Sequence, residues 1–102
     1  MQLMQKRRVV ITGIGVVSPV GSGIETFWKN IVAGVSGVDR SPILVDSGCH
    51  WKIAGEVKGF KPKEWLGRKD ANRMDRFAQL ALVASYLGLQ DSGLDLDKED
   101  RH

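Results

Sequence analysis

Three groups of residues in this chain have types and spacing that chemistry uses, and each calls for a different ligand or reaction. Thr12-Gly13-Ile14-Gly15-Val16-Val17-Ser18 has the spacing that opens a dinucleotide fingerprint, where glycines let a pyrophosphate approach a helix N-terminus. It departs from that pattern at three points. Ser18 stands at the third glycine position, Pro19 delays any helix, and no acidic residue closes a second strand about 20 residues on. A dinucleotide-binding βα module is therefore the weakest functional reading, and a structural glycine turn the stronger one. Cys49 and His50 pair a thiol with an imidazole, the chemistry of an activated nucleophile. Consecutive residues on an extended chain point to opposite sides, however, and no helix N-terminus or cationic pocket is evident to favour the thiolate. With one cysteine, two distant histidines (His50 and His102, the latter expected to be mobile) and no HExxH pattern, no metal site is expected. No residue is assigned a catalytic or cofactor-binding role.

The third group is basic. Between Lys58 and Arg76 lie seven basic residues against three acidic ones, whereas the remainder of the chain is slightly acidic. Lys69, Arg73 and Arg76 fall at i, i+4 and i+7 and share one face if a helix begins early enough. A solvated charged face is the plain explanation of such a run; a coherent positive edge that steers an acidic protein or a phosphate is the functional one. Nucleic acid is not the expected partner, because Phe60, Trp65 and Phe77 read as core anchors rather than as a stacking platform.

The elements that must position these groups are few. The chain has 102 residues, 42% hydrophobic and 26% charged, with a formal net charge of +3, enough for one core. No apolar run reaches membrane-spanning length, and Met1 to Arg8 lacks the apolar region of a signal peptide, so the cytoplasm is the expected compartment. Cys49 is the only cysteine, which rules out an internal disulfide and suits a reducing location. Val9 to Val17 is apolar without alternation, the pattern of a strand covered on both faces in a parallel α/β sheet.

Ser22 and Glu25 have capping-box spacing ahead of a helix whose apolar face is Ile24, Phe27, Trp28, Ile31, Val32 and Val35, with Gly34 or Gly37 as its stop. Ser36 to His50 reads as a connection and Trp51 to Val57 as a short strand, with Gly55 marking a bulge or an edge. Pro62 opens a short helix over Lys63 to Leu66 that Gly67 ends. The longest helix carries Met74, Phe77, Ala78, Ala81, Leu82, Ser85 and Leu89 on one face, with Ala84 and Gly88 leaving room for close packing, and stops at Asp91-Ser92-Gly93. Residues 94–102 read as a linker. A strand as apolar as the first needs neighbours and cover that this set of elements does not supply.

In that order, RRVVITGIGVVSPVG, FWKNIVAGVSGV, IAGEVKGF and RMDRFAQLALVAS resemble the N-terminal end of a β-ketoacyl-acyl carrier protein synthase of the type II elongating kind, and the likeness runs through nearly all of residues 1–102. The resemblance implies the N-terminal part of a thiolase-like, layered α-β-α-β-α fold, incomplete in this chain, from a family that forms homodimers. It implies decarboxylative Claisen condensation of an acyl thioester with malonyl-acyl carrier protein in fatty-acid elongation. The reactive cysteine and two histidines of that family lie in later segments, so Cys49 is not that nucleophile and the isolated chain is expected to be inactive. No cofactor is implied. The implied partner is acyl carrier protein, acidic and bearing phosphopantetheine, contacted by Lys69 and Arg73 with Arg68 adding from the adjoining turn. Asn72 stands where some relatives carry a further basic residue. A non-catalytic fragment that only docks carrier protein is the alternative.

Overall fold

In the computed structural model, which describes residues 5–99, the apolar N-terminal run is not a strand. Val9, Val10 and Ile11 are 91%, 69% and 85% exposed, and regular pairing begins only at β1, Val17–Ser18. A strand exists only where a neighbour takes up its N–H and C=O groups, and among the described residues none lies alongside Val9–Ile11. β1 instead turns at Pro19-Val20 and pairs antiparallel with β2, Gly21–Ser22. Ser18 closes this turn, its Oγ donating to Gly21 O at 2.8 Å and accepting from Val20 N at 3.3 Å.

The next helix, α1, runs Ile24–Val32 from an N-cap at Gly23 that makes no side-chain cap hydrogen bond. The expected capping box is absent because Ser22, one residue too early, is paired with Val17 in β2. The other end follows the sequence closely. Gly34 takes φ +73°, Val35 N donates to Asn30 O and Gly34 N to Ile31 O, the paired bonds that cap a helix through a left-handed residue.

Residues 36–50, expected as a plain connection, contain two elements. β3, Val38–Arg40, pairs antiparallel with β4, Ile53–Gly55, in the register Val38↔Gly55, Asp39↔Ala54 and Arg40↔Ile53. The strand expected over Trp51 to Val57 is thus shortened to its middle. Between them α2, Pro42–Asp46, starts at Ser41, whose Oγ accepts from Leu44 N and donates to Glu56. Ser41 is 1% exposed, and its amide donates to Lys52 O, so one serine both caps the helix and joins it to the ribbon. Both ribbons are antiparallel, where a parallel sheet was expected. Gly55 is the point at which Pro19 rests on the second ribbon, for a Cβ there would lie 3.3 Å from Pro19 Cγ.

Three helices complete the chain: α3, Pro62–Leu66; α4, Arg68–Arg73; and α5, Arg76–Ser92. Proline opens α3 and Gly93, at φ +66°, closes α5, as expected. The inward face of α5 differs from the expected one. Val83 is 1% exposed, and Ala84 and Gly88 lie beneath the glycine loop, whereas Met74, Phe77, Ala78, Ala81, Leu82 and Ser85 line an open groove with Phe77 74% exposed. A helix apolar on two faces is suited to an interior layer. Only Ala71 and Val83 are buried hydrophobics among the described residues, and the Cα radius of gyration is 18.6 Å, against about 13 Å for a compact chain of this length. No helix of the described residues is long and apolar enough to cross a membrane. Residues 94–99 carry turns but no helix or strand; residues 100–102, including His102 and the end of the segment read as a linker, lie outside the described residues.

Candidate functional site

The glycine loop faces the protein rather than a ligand. A Cβ on Gly13 would meet Gly88 O and lie 2.6 Å from Ser92 N; one on Gly15 would overlap Ala84 O and lie 2.5 Å from Gly88 N. Asp91 fastens the same stretch, its Oδ2 accepting the Ile14 amide at 2.9 Å. The missing side chains therefore let the loop approach the backbone of α5. One backbone N–H of the loop, that of Ile14, is thus turned to a helix carboxylate. Cys49 and His50 do not form a catalytic pair either. The Cys49 amide is bonded to Ser47 Oγ at 3.3 Å, and the His50 ring meets Trp51 edge to face with centroids 5.2 Å apart. Among the described residues no group of three His, Cys, Asp or Glu side chains is placed to hold a metal.

The basic residues do form a site, built differently from a single helical face. The chain leaves helical geometry at Met74 (φ −109°, ψ 141°) and Asp75 (φ −69°, ψ 160°), so Lys69 and Arg73 lie on α4 while Arg76 starts α5. Arg76 is exposed on that separate helix, its guanidinium carbon standing 4.6 Å from the centroid of the Phe60 ring. Sequence spacing could not show this, because i, i+4, i+7 adjacency assumes an unbroken helix. The outcome is a six-residue helix that turns Ala71 inward, 3% exposed, and leaves Arg68, Lys69 and Arg73 exposed. Among the described residues none of these three forms a salt bridge, whereas neighbouring Lys61 faces Glu64 at 3.9 Å and Lys58 faces Asp39 at 3.3 Å. Asp70 and Asn72 are exposed on the same helix, so the patch is positive but not uniformly so.

One residue that the sequence did not single out holds this helix in place. Gln79 Nε2 donates to Ala71 O at 2.8 Å and to Met74 O at 3.4 Å, spanning the break between α4 and α5. A half-buried glutamine among Phe77, Ala78 and Leu80 in the first turn of an otherwise apolar helix was the available signal. Among the described residues one titration is perturbed, that of Asp39 on β3. The Arg40 amide bonded to Asp39, with the Lys58 ammonium beside it, holds that carboxyl below its ordinary value.

Comparison with known proteins identifies a family. A family model described as beta-ketoacyl synthase, N-terminal domain, matches residues 6–102. A 3-oxoacyl-[acyl-carrier-protein] synthase 2 of Vibrio cholerae is 41% identical over 97 residues, which are 95% of this chain and 23% of that protein. The protein of the same name from Staphylococcus aureus is 38% identical over 96 residues, again 23% of its length. Among solved structures, the ishigamide ketosynthase/chain length factor matches 91% of this chain and 23% of its own with a TM-score of 0.81 and 34% identity. The chain thus spans about a quarter of the length of these relatives and follows the course of the N-terminal part of a thiolase-like ketosynthase fold.

Proposed function

Since the chain belongs to the beta-ketoacyl synthase family through its N-terminal domain, we propose that it serves as the N-terminal portion of a 3-oxoacyl-acyl carrier protein synthase, where it docks the carrier protein. That enzyme would condense an acyl thioester with malonyl-acyl carrier protein, with loss of carbon dioxide, during fatty-acid elongation, as a homodimer in the cytoplasm. None of the condensing chemistry is assigned to a residue of this chain. The observation that supports the docking role is the set of three exposed cations, Arg68, Lys69 and Arg73, that form no salt bridge among the described residues, on a helix anchored by buried Ala71. Cations held free of internal partners present their full charge to an acidic protein, raising encounter rate and giving salt sensitivity.

The open faces support the rest of the proposal. Uncovered Val9–Ile11, the exposed Trp28 and Val32 of α1, and the two-sided α5 are surfaces that further sheet and helix layers would bury. A purely docking role without participation in a synthase accounts for the cations but not for these surfaces.

The test is a titration of the chain with acidic acyl carrier protein across a salt series. Lys69→Glu and Arg73→Glu are each expected to weaken binding about fivefold at low salt and to flatten its salt dependence. Affinity indifferent to both charge reversals refutes the docking role. The isolated chain supplied with acyl- and malonyl-carrier proteins is expected to form no condensation product, and turnover would overturn its non-catalytic assignment.

A further inference from the structure

We propose that Gln79 is the positioning residue of the carrier-docking helix, an inference that rests on the docking role just described. α4 has six residues, too few for a helix to persist on its own propensity. Its final carbonyls have no intrahelical donors, and the chain turns extended at Met74. The backbone itself offers little there: Met74 N reaches Ala71 O at 3.4 Å. Gln79 supplies the missing donor from the first turn of α5, where its own amide is bonded to Asp75 O at 3.1 Å. Its side chain reaches back across the break to Ala71 O and Met74 O, the carbonyls on either side of Arg73.

The contact is therefore not general helix packing. Ala71 is 3% exposed, so water is poorly placed to replace the amide, and a carbonyl left with only the 3.4 Å bond from Met74 N would favour rearrangement of the last turn of α4. That turn carries Arg73. Gln79 spends its side-chain donor on backbone carbonyls of Ala71 and Met74, and acts by fixing where Arg73 and Lys69 stand relative to α5.

The test uses the whole chain with acidic acyl carrier protein, measuring affinity and amide exchange over residues 68–74. Gln79→Met keeps the length and removes the donor; Gln79→Glu keeps the shape and replaces the donor with an acceptor. Each is expected to lower affinity about three- to tenfold and to speed exchange in α4. A merely structural loss would cost the same with or without the docking charge. Positioning predicts coupling: in an Arg73→Glu background, Gln79→Met should cost markedly less. Affinity that responds to Arg73→Glu but ignores Gln79→Met, or equal costs in both backgrounds, overturns the positioning role alone. Affinity indifferent to Arg73→Glu throughout overturns the docking role on which it rests.

Discussion

Gly15 and Gly88 lie against each other with space for a side chain on neither in equal measure: a Cβ on Gly15 would stand 2.5 Å from Gly88 N and overlap Ala84 O, while a Cβ on Gly88 would stand 3.2 Å from Gly15 N. The asymmetry predicts opposite sensitivities at the two positions. Gly15→Ala drives a methyl into helix backbone, which cannot yield as a side-chain tip can, so the loop must lift from α5. Gly88→Ala needs a shift of a few tenths of an ångström and gains about 1 kcal/mol of helix propensity. Urea unfolding followed by circular dichroism is expected to show a lowered midpoint for Gly15→Ala and one near the parent for Gly88→Ala. A Gly15→Ala chain as stable as the parent would remove the close-approach explanation.

Asp91 offers a second test of the same junction. Its carboxylate accepts the Ile14 amide from 77 residues away in sequence, tying the loop to the last turns of α5. Asp91→Ala is expected to cost about 0.5–1.5 kcal/mol, toward the lower end because the bond is exposed, and to speed hydrogen exchange at Ile14. Asp91→Asn retains a side-chain oxygen and should restore much of the protection. Equal exchange in all three chains would show that the bond contributes nothing to holding the loop.

The Asp39 carboxyl gives a pH signature. Its pKa is lowered first by the Arg40 amide and then by Lys58, so its contribution to stability is present above its ordinary value of 3.8 and is lost as pH falls through the lower folded-state value. Because the amide is the larger cause, Lys58→Ala should raise the pKa only partway in a carbon-detected NMR titration. Full return to the ordinary value would make the lysine, not the backbone, the cause.

Local signals predicted local structure well. Pro62 at the start of α3, Gly93 at the end of α5 and Gly34, one of the two glycines that could stop α1, lie where the sequence placed them, since a missing N–H or a permitted positive φ acts within a few residues. Ser41 was equally legible in kind, a serine before proline, but it was passed over within a glycine-bearing stretch. The candidate site was legible only in part. Arg68, Lys69 and Arg73 are exposed, but Arg76 begins a separate helix with its guanidinium over Phe60, and Gln79 gave only the weak signal of an amide in an apolar helix, because its partners become carbonyls in need only when the helix breaks at Met74.

The sequence by itself determined membership of the family, the reading of the glycines as architecture, and the helix boundaries marked by Pro62, Gly67 and Gly93, because each depends on residue type or short spacing. Tertiary structure alone decided which face of α5 turns inward, that Gly13 and Gly15 press against Ala84, Gly88 and Ser92, and that Val9–Ile11 forms no strand among the described residues. A strand is a relation between two backbones and a buried face a relation between two surfaces. An apolar run states the need for such a neighbour, and only the folded arrangement shows whether one is there.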